Sequence, residues 1–154
     1  MLKRFYTMMA AALMMMALPF AGASAMEKQA NIQADMQAQK ASVYIVMYHA
    51  DWCGSCKVLA PHMSEARGML DEETAMKVEF IKFDLTDEAS KEATKEMAQE
   101  KGFGDVYANA AKTGSKTGYG DIFGADMQKR GKITKSFSAA EIVDAIKSAI
   151  AADE

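Results

Sequence analysis

Cysteine is nearly absent from this chain: Cys53 and Cys56 are the only two in 154 residues. A bridge between them would close too short a loop to restrict the unfolded chain much, so a purely structural staple is the weakest use for the pair. A metal clamp and a reversible redox couple remain. Basic runs are also lacking, and the net charge is −3. That balance gives no electrostatic reason to expect nucleic acid. Methionine is plentiful at 14, but Met1, Met8, Met9, Met14, Met15 and Met16 all lie in one N-terminal stretch. Beyond it there is no metal-binding methionine tract.

That stretch has the layout of a secretory signal. Lys3 and Arg4 form a short basic start, an apolar run follows, and Ala23-Ser24-Ala25 supplies small residues for cleavage after Ala25. Pro19, Gly22 and Ser24 leave the apolar run short for a membrane span, and no cysteine near the cleavage site offers a lipid anchor. The reading is a cleaved signal peptide at 1–25, a periplasmic mature protein and no stable membrane insertion. What remains is long enough for one domain with a core. Residues 26–40 are polar, rich in Ala and Gln, and read as a lead-in helix.

Residues 43–48, VYIVMY, are a continuous β-branched and aromatic run, the pattern of a central strand covered on both faces. From Cys53 the spacing becomes helical, with Cys56, Leu59, Met63, Ala66 and Leu70 on one stripe. Pro61 is expected to bend that helix without ending it. VEFIKFDL (78–85) reads as a second strand. Residues 87–101 read as a charged helix with a thin Ala89/Ala93/Met97 face, stopped by Gly102. Residues 122–126 and 132–137 read as two short strands joined by a turn around Gly131. Ser138 and Glu141 form a capping box before a final helix, with Phe137 and Ile142 as its staple. Strands alternating with helices make an α/β fold, a mixed sheet with helices on its faces. The segment 102–126 is expected to be turn-rich. Its glycines do not have phosphate-loop spacing.

The two cysteines stand where the first strand passes into a helix. Residues three apart on a helix are neighbours, close enough to form a disulfide. Cys53 at the helix start is favoured as an anion by free N–H groups and the helix dipole, so it is the candidate nucleophile. Cys56, on the apolar stripe, is expected to be buried and to resolve the mixed disulfide. Gly54 and Ser55 keep the approach small, and Trp52 flanks it.

Trp52-Cys53-Gly54-Ser55-Cys56-Lys57, with Pro61 five residues after the second cysteine, resembles the active-site segment of the thioredoxin family. The resemblance implies a thioredoxin-like three-layer fold over about 41–154, a central mixed β-sheet flanked by helices, with a Gly-rich insertion at about 102–121. It implies a thiol-disulfide oxidoreductase with Cys53 attacking and Cys56 resolving, and no cofactor beyond the redox-active disulfide. Protein thiols and disulfides, with an upstream redox donor or acceptor, would be its partners. A monomer working as a reductase is expected over an oxidase.

Two family features are missing. The buried Asp six residues before the first cysteine is Met47 here, so proton transfer from Cys56 needs another group or water. The cis-proline opposite the cysteines has no counterpart, because Pro19 and Pro61 are the only prolines. In the family that proline keeps metal away from the thiolates. An alternative therefore stays open, a Cu(I) or Zn carrier using Cys53, Cys56 and His49. A third reading is an interaction module whose cysteines matter little. His49 and Asp51 are possible tuners of Cys53, and the simplest place for His49 is a polar rim.

Overall fold

Strand β1 (Val43–His49) is the centre of the sheet, and its composition explains why. Side chains alternate across a strand, and here both sets find cover. Val43 and Ile45 enter one apolar cluster; Tyr44, Val46 and Tyr48 enter another. The computed structural model describes residues 41–153; the expected signal peptide at 1–25 and the expected lead-in helix at 26–40 lie outside the described residues.

The remaining elements follow in the order α1 (Gly54–Met69), α2 (Glu72–Met76), β2 (Val78–Asp84), α3 (Glu88–Glu100), α4 (Gly104–Lys112), β3 (Tyr119–Gly124), β4 (Lys129–Thr134) and α5 (Ala139–Ala151). The sheet order is β2-β1-β3-β4. β1 pairs with β2 in parallel, Val43 opposite Val78 through His49 opposite Asp84, and with β3 antiparallel, Val43 opposite Gly124. Helices α1 and α5 cover one face through Leu59, Met63, Ala66, Ile142 and Ile146. Helices α3 and α4 cover the other through Ala98, Phe103 and Ala110. This is the thioredoxin-like three-layer arrangement, with a mixed sheet between helices.

Helix α1 runs through Pro61, as the continuing apolar stripe required. The cap of α5 also matches: the Ser138 hydroxyl accepts from the Glu141 N–H, and the Glu141 carboxylate accepts from the Ser138 N–H at 2.7 Å. Phe137 packs against the cluster that holds Ile142.

Three expectations need correction, and one short helix was not expected at all. The face of α3 is turned from Ala89 and Ala93: Thr94 and Ala98 are its buried residues, and of the three expected only Met97 packs against the core. Thr94 Oγ1 accepts from the Asp84 N–H and donates to the Asp84 carbonyl, each at 3.0 Å. A polar side chain is therefore buried because it satisfies both backbone groups where β2 ends. The segment 102–126 is not wholly turns, since it contains α4. That helix has no side-chain cap at Phe103, so no local residue signals its start. Instead Phe103 is pinned against the Tyr44 and Phe123 rings at 5.3 and 6.0 Å, and Tyr107 against Phe83 at 5.6 Å.

The hairpin is also displaced from its expected place. β3 starts at Tyr119 and β4 ends at Thr134; the turn lies at 125–128, not around Gly131. Asp126 builds it by accepting the Gln128 N–H at 2.9 Å, with Met127 at φ 62°, so no glycine marks the place. Gly131 lies within β4 opposite Ile122, next to a register shift. Last, a short helix unannounced by the apolar pattern, α2, is started by Asp71, whose carboxylate accepts from the Thr74 N–H at 2.8 Å.

Candidate functional site

The carboxyl end of β1, the N-terminus of α1 and the residue before β3 meet at the two cysteines. Cys53 is the N-cap of α1, in extended conformation, and its sulfur accepts the Cys56 N–H at 3.1 Å. Cys53 and Cys56 are joined as a disulfide with Cα atoms 5.3 Å apart, inside the range that such a bridge requires. Both are buried, at 6% and 5% exposure, with Ala50 beside them. The first turn of α1 carries no acidic residue, so no carboxylate of the helix itself opposes the positive end of its dipole. Lys57 in that turn is exposed. When the bridge opens, these groups favour an anion at Cys53.

Cys56 faces inward. Its sulfur lies 3.8 Å from the Tyr48 carbonyl oxygen, an acceptor suited to a neutral S–H. The same carbonyl accepts the Gly118 N–H at 2.8 Å. Gly118, at φ 86°, holds the place opposite the cysteines where the family's proline would stand. A β-carbon there would lie 2.5 Å from Ser55 Cβ and 3.1 Å from Cys53 Sγ, closer than packed carbon atoms approach. Bare backbone alone fits.

The expected flanking residues are arranged unevenly. Trp52 is 65% exposed, with its indole N–H donating to the Thr86 carbonyl at 3.1 Å. Thr86 Oγ1 also accepts the Asp51 N–H at 3.1 Å, and the Asp84 carboxylate accepts the Thr86 N–H at 3.1 Å. The loop after β2 thus fixes the turn that carries Trp52 and Cys53. Asp84 is affected in turn: burial pushes its carboxyl up, but Lys82 at 2.8 Å and the Thr86 donors outweigh this and pull it down to about 2. Gly54 starts α1, and Pro61 is exposed two turns along. His49 Nε2 lies 3.2 Å from Asp51 Oδ1, so the two possible tuners pair with each other. Among the described residues no three His, Cys, Asp or Glu side chains form a metal-holding group; Cys53, Cys56 and His49 are not brought together as one.

Met47, at the position of the family's Asp, has its thioether where a side chain on Gly120 would be: a β-carbon there would lie 2.6 Å from Met47 Sδ. A buried carboxylate occurs on the other face of the sheet instead. Asp121 is 7% exposed, and its Oδ1 is 2.6 Å from Lys129 Nζ, a charge contact without hydrogen-bond alignment. Burial, and then the charge of Asp121, push the Tyr48 phenol far above its usual range. Sequence reasoning missed Thr86, Gly118 and Asp121. Only Gly118 had a usable signal, a glycine just before a strand in the place where the family pattern wants proline.

A family model described as Thioredoxin matches residues 24–100. Among solved structures, one titled "DsbH Oxidoreductase" is 12% identical, with 92% of this chain and 95% of that chain covered at a TM-score of 0.44. No curated protein matches. Among the described residues no helix is long and apolar enough to cross a membrane.

Proposed function

The chain belongs to the thioredoxin family and is a thiol-disulfide oxidoreductase; from that premise we propose that it works in the periplasm as a reductase of protein disulfides. Cys53 thiolate attacks one sulfur of a partner disulfide, and the partner's other sulfur leaves as a thiolate that takes a proton. Cys56 then loses its proton and attacks Cys53. This closes the Cys53–Cys56 bridge and releases the second partner thiol. Two electrons and two protons pass to the partner, and no cofactor takes part.

The observation that carries this order is the asymmetry of the pair. Cys53 caps α1 and receives the Cys56 N–H, whereas Cys56 faces a carbonyl oxygen. A donor stabilises a thiolate and an acceptor stabilises a thiol. The signal-like leader supports export, and mass analysis of the secreted or periplasmic protein checks it by a new N-terminus at Met26.

Partner trapping tests the roles. Cys56→Ser should accumulate covalent mixed disulfides through Cys53 that reducing agent releases; Cys53→Ser should not. Equal trapping by both variants would overturn the assignment. Titration against a glutathione buffer tests direction. A potential near thioredoxin's roughly −270 mV fits a reductase, and one near roughly −120 mV would make the protein an oxidant.

A further inference from the structure

The disulfide has a second approach. A cavity of about 480 Å³ runs along α1, and Cys56 is part of its wall while Cys53 is not. That volume falls within the range of small-molecule sites, roughly 300–1,000 Å³. Leu59, Met63, Met47 and Phe80 make its wall largely apolar, and no carboxylate lines it. Arg67, exposed to solvent, is also part of the wall, with its guanidinium 4.5 Å from the Phe80 ring centroid. Among the described residues no carboxylate pairs with Arg67. The other cation on the wall, Lys82, is held by Asp84 at 2.8 Å. On the Cys56 side, His49 is paired with Asp51.

The spacing defines a ligand. Cys56 and Arg67 stand about 16 Å apart along the helix axis, and helical side chains lean towards the N-terminus, leaving on the order of 10 Å between sulfur and guanidinium. The site therefore suits a molecule with sulfur at one end, a short apolar body, and a carboxylate at the other. The chemistry at Cys56 also fits. A thiolate arriving from the cavity meets Cys56 Sγ, and the sulfur it expels is Cys53, which the Cys56 N–H and the helix end already stabilise as an anion. The better-stabilised thiolate is the faster leaving group.

We propose that the cavity admits a low-molecular-weight dithiol with an apolar arm ending in a carboxylate, the dihydrolipoate class, and that this ligand reduces the disulfide at Cys56. The inference rests on the redox reading above and names its donor. One ligand thiolate bonds to Cys56 Sγ as the Cys53–Cys56 bond breaks and Cys53 leaves. The ligand's second thiolate then attacks its own bonded sulfur, closing the cyclic disulfide and expelling Cys56. The ligand gives up two electrons and two protons, and the protein gains two thiols. Protein disulfides meet Cys53 on the outer side, so donor and substrate use different sulfurs.

The test is single-turnover reduction of the oxidised full-length protein, followed by counting alkylated thiols, with dihydrolipoate, dihydrolipoamide and dithiothreitol as donors. A carboxylate on Arg67 should make the acid about tenfold faster than its neutral amide, the size expected for one charge-assisted pair. Arg67→Gln should bring that ratio to about one. Decanoate, which has the arm and carboxylate but no sulfur, should slow the acid by competition. Equal rates for acid and amide in the wild type, a ratio unchanged in Arg67→Gln, or no effect of decanoate would each overturn the site while dithiothreitol still reduces the protein. A disulfide that dithiothreitol cannot open would overturn the redox reading, and this inference with it.

Discussion

Gly118 and Cys53 are packed so closely that a β-carbon on the glycine would lie 3.1 Å from the cysteine sulfur. Its φ of 86° is also costly for any residue with a side chain. Gly118→Ala should therefore destabilise the protein by about 1–3 kcal/mol. Restoring the family's residue should do worse. Gly118→Pro removes the N–H that Tyr48 O accepts and demands a φ near −65°. Chemical denaturation of the oxidised proteins ranks the three; a proline variant as stable as wild type would contradict the packing.

Thr94 is the buried polar group of α3, and its hydroxyl serves both backbone groups of Asp84. Thr94→Val keeps the shape but leaves both unpaired, at a cost of about 1–3 kcal/mol. Thr94→Ser retains the hydroxyl and should lose less. Urea midpoints of the two variants decide this.

Asp84 ties acid stability to the site. Its carboxyl is pulled down to about 2 from an ordinary 3.8. The stabilisation is present in full above the ordinary value and is lost as pH falls through the lowered one. The loss should fall between about pH 4 and pH 2, amounting to roughly 1–2 kcal/mol after screening. Asp84→Asn should flatten the stability curve in that window. The same loss in the variant would show that other carboxylates carry it.

Asp121 and Lys129 form a pair with one end in the core: the carboxylate is about a tenth exposed and the ammonium about half. Lys129→Gln strands a buried charge and should cost about 1–3 kcal/mol, less than in a fully buried pair because water still reaches the site. Adding Asp121→Asn should recover most of that. A double-mutant cycle with no coupling would dismiss the pair as a stabilising contact.

The parts legible in the sequence were those in which one local signal sufficed. The VYIVMY run announced β1, the stripe from Cys56 to Ala66 announced α1, and Ser138 with Glu141 announced the start of α5. The misread parts depend on partners far along the chain. α4 has no cap of its own and is held by rings from β1, β2 and β3. Ala89 and Ala93 are apolar but exposed, because Thr94 satisfies the end of β2 better than either could. Asp126 makes the hairpin turn with a side chain, where glycine was the sign sought. At the site, WCGSCK identified both sulfurs. Gly118 and Thr86 act through N–H, C=O and hydroxyl contacts across other elements, which spacing along the chain does not record.

The carbonyl of Tyr48 accepts the Gly118 N–H at 2.8 Å, with the Cys56 sulfur 3.8 Å away. A disulfide sulfur has no proton to offer, while a thiol does. Each redox cycle therefore changes how many donors compete for one oxygen on the central strand. The amide of Gly118 is where that competition would be read: its hydrogen-exchange rate reports the oxidation state of the pair, with no label on either cysteine.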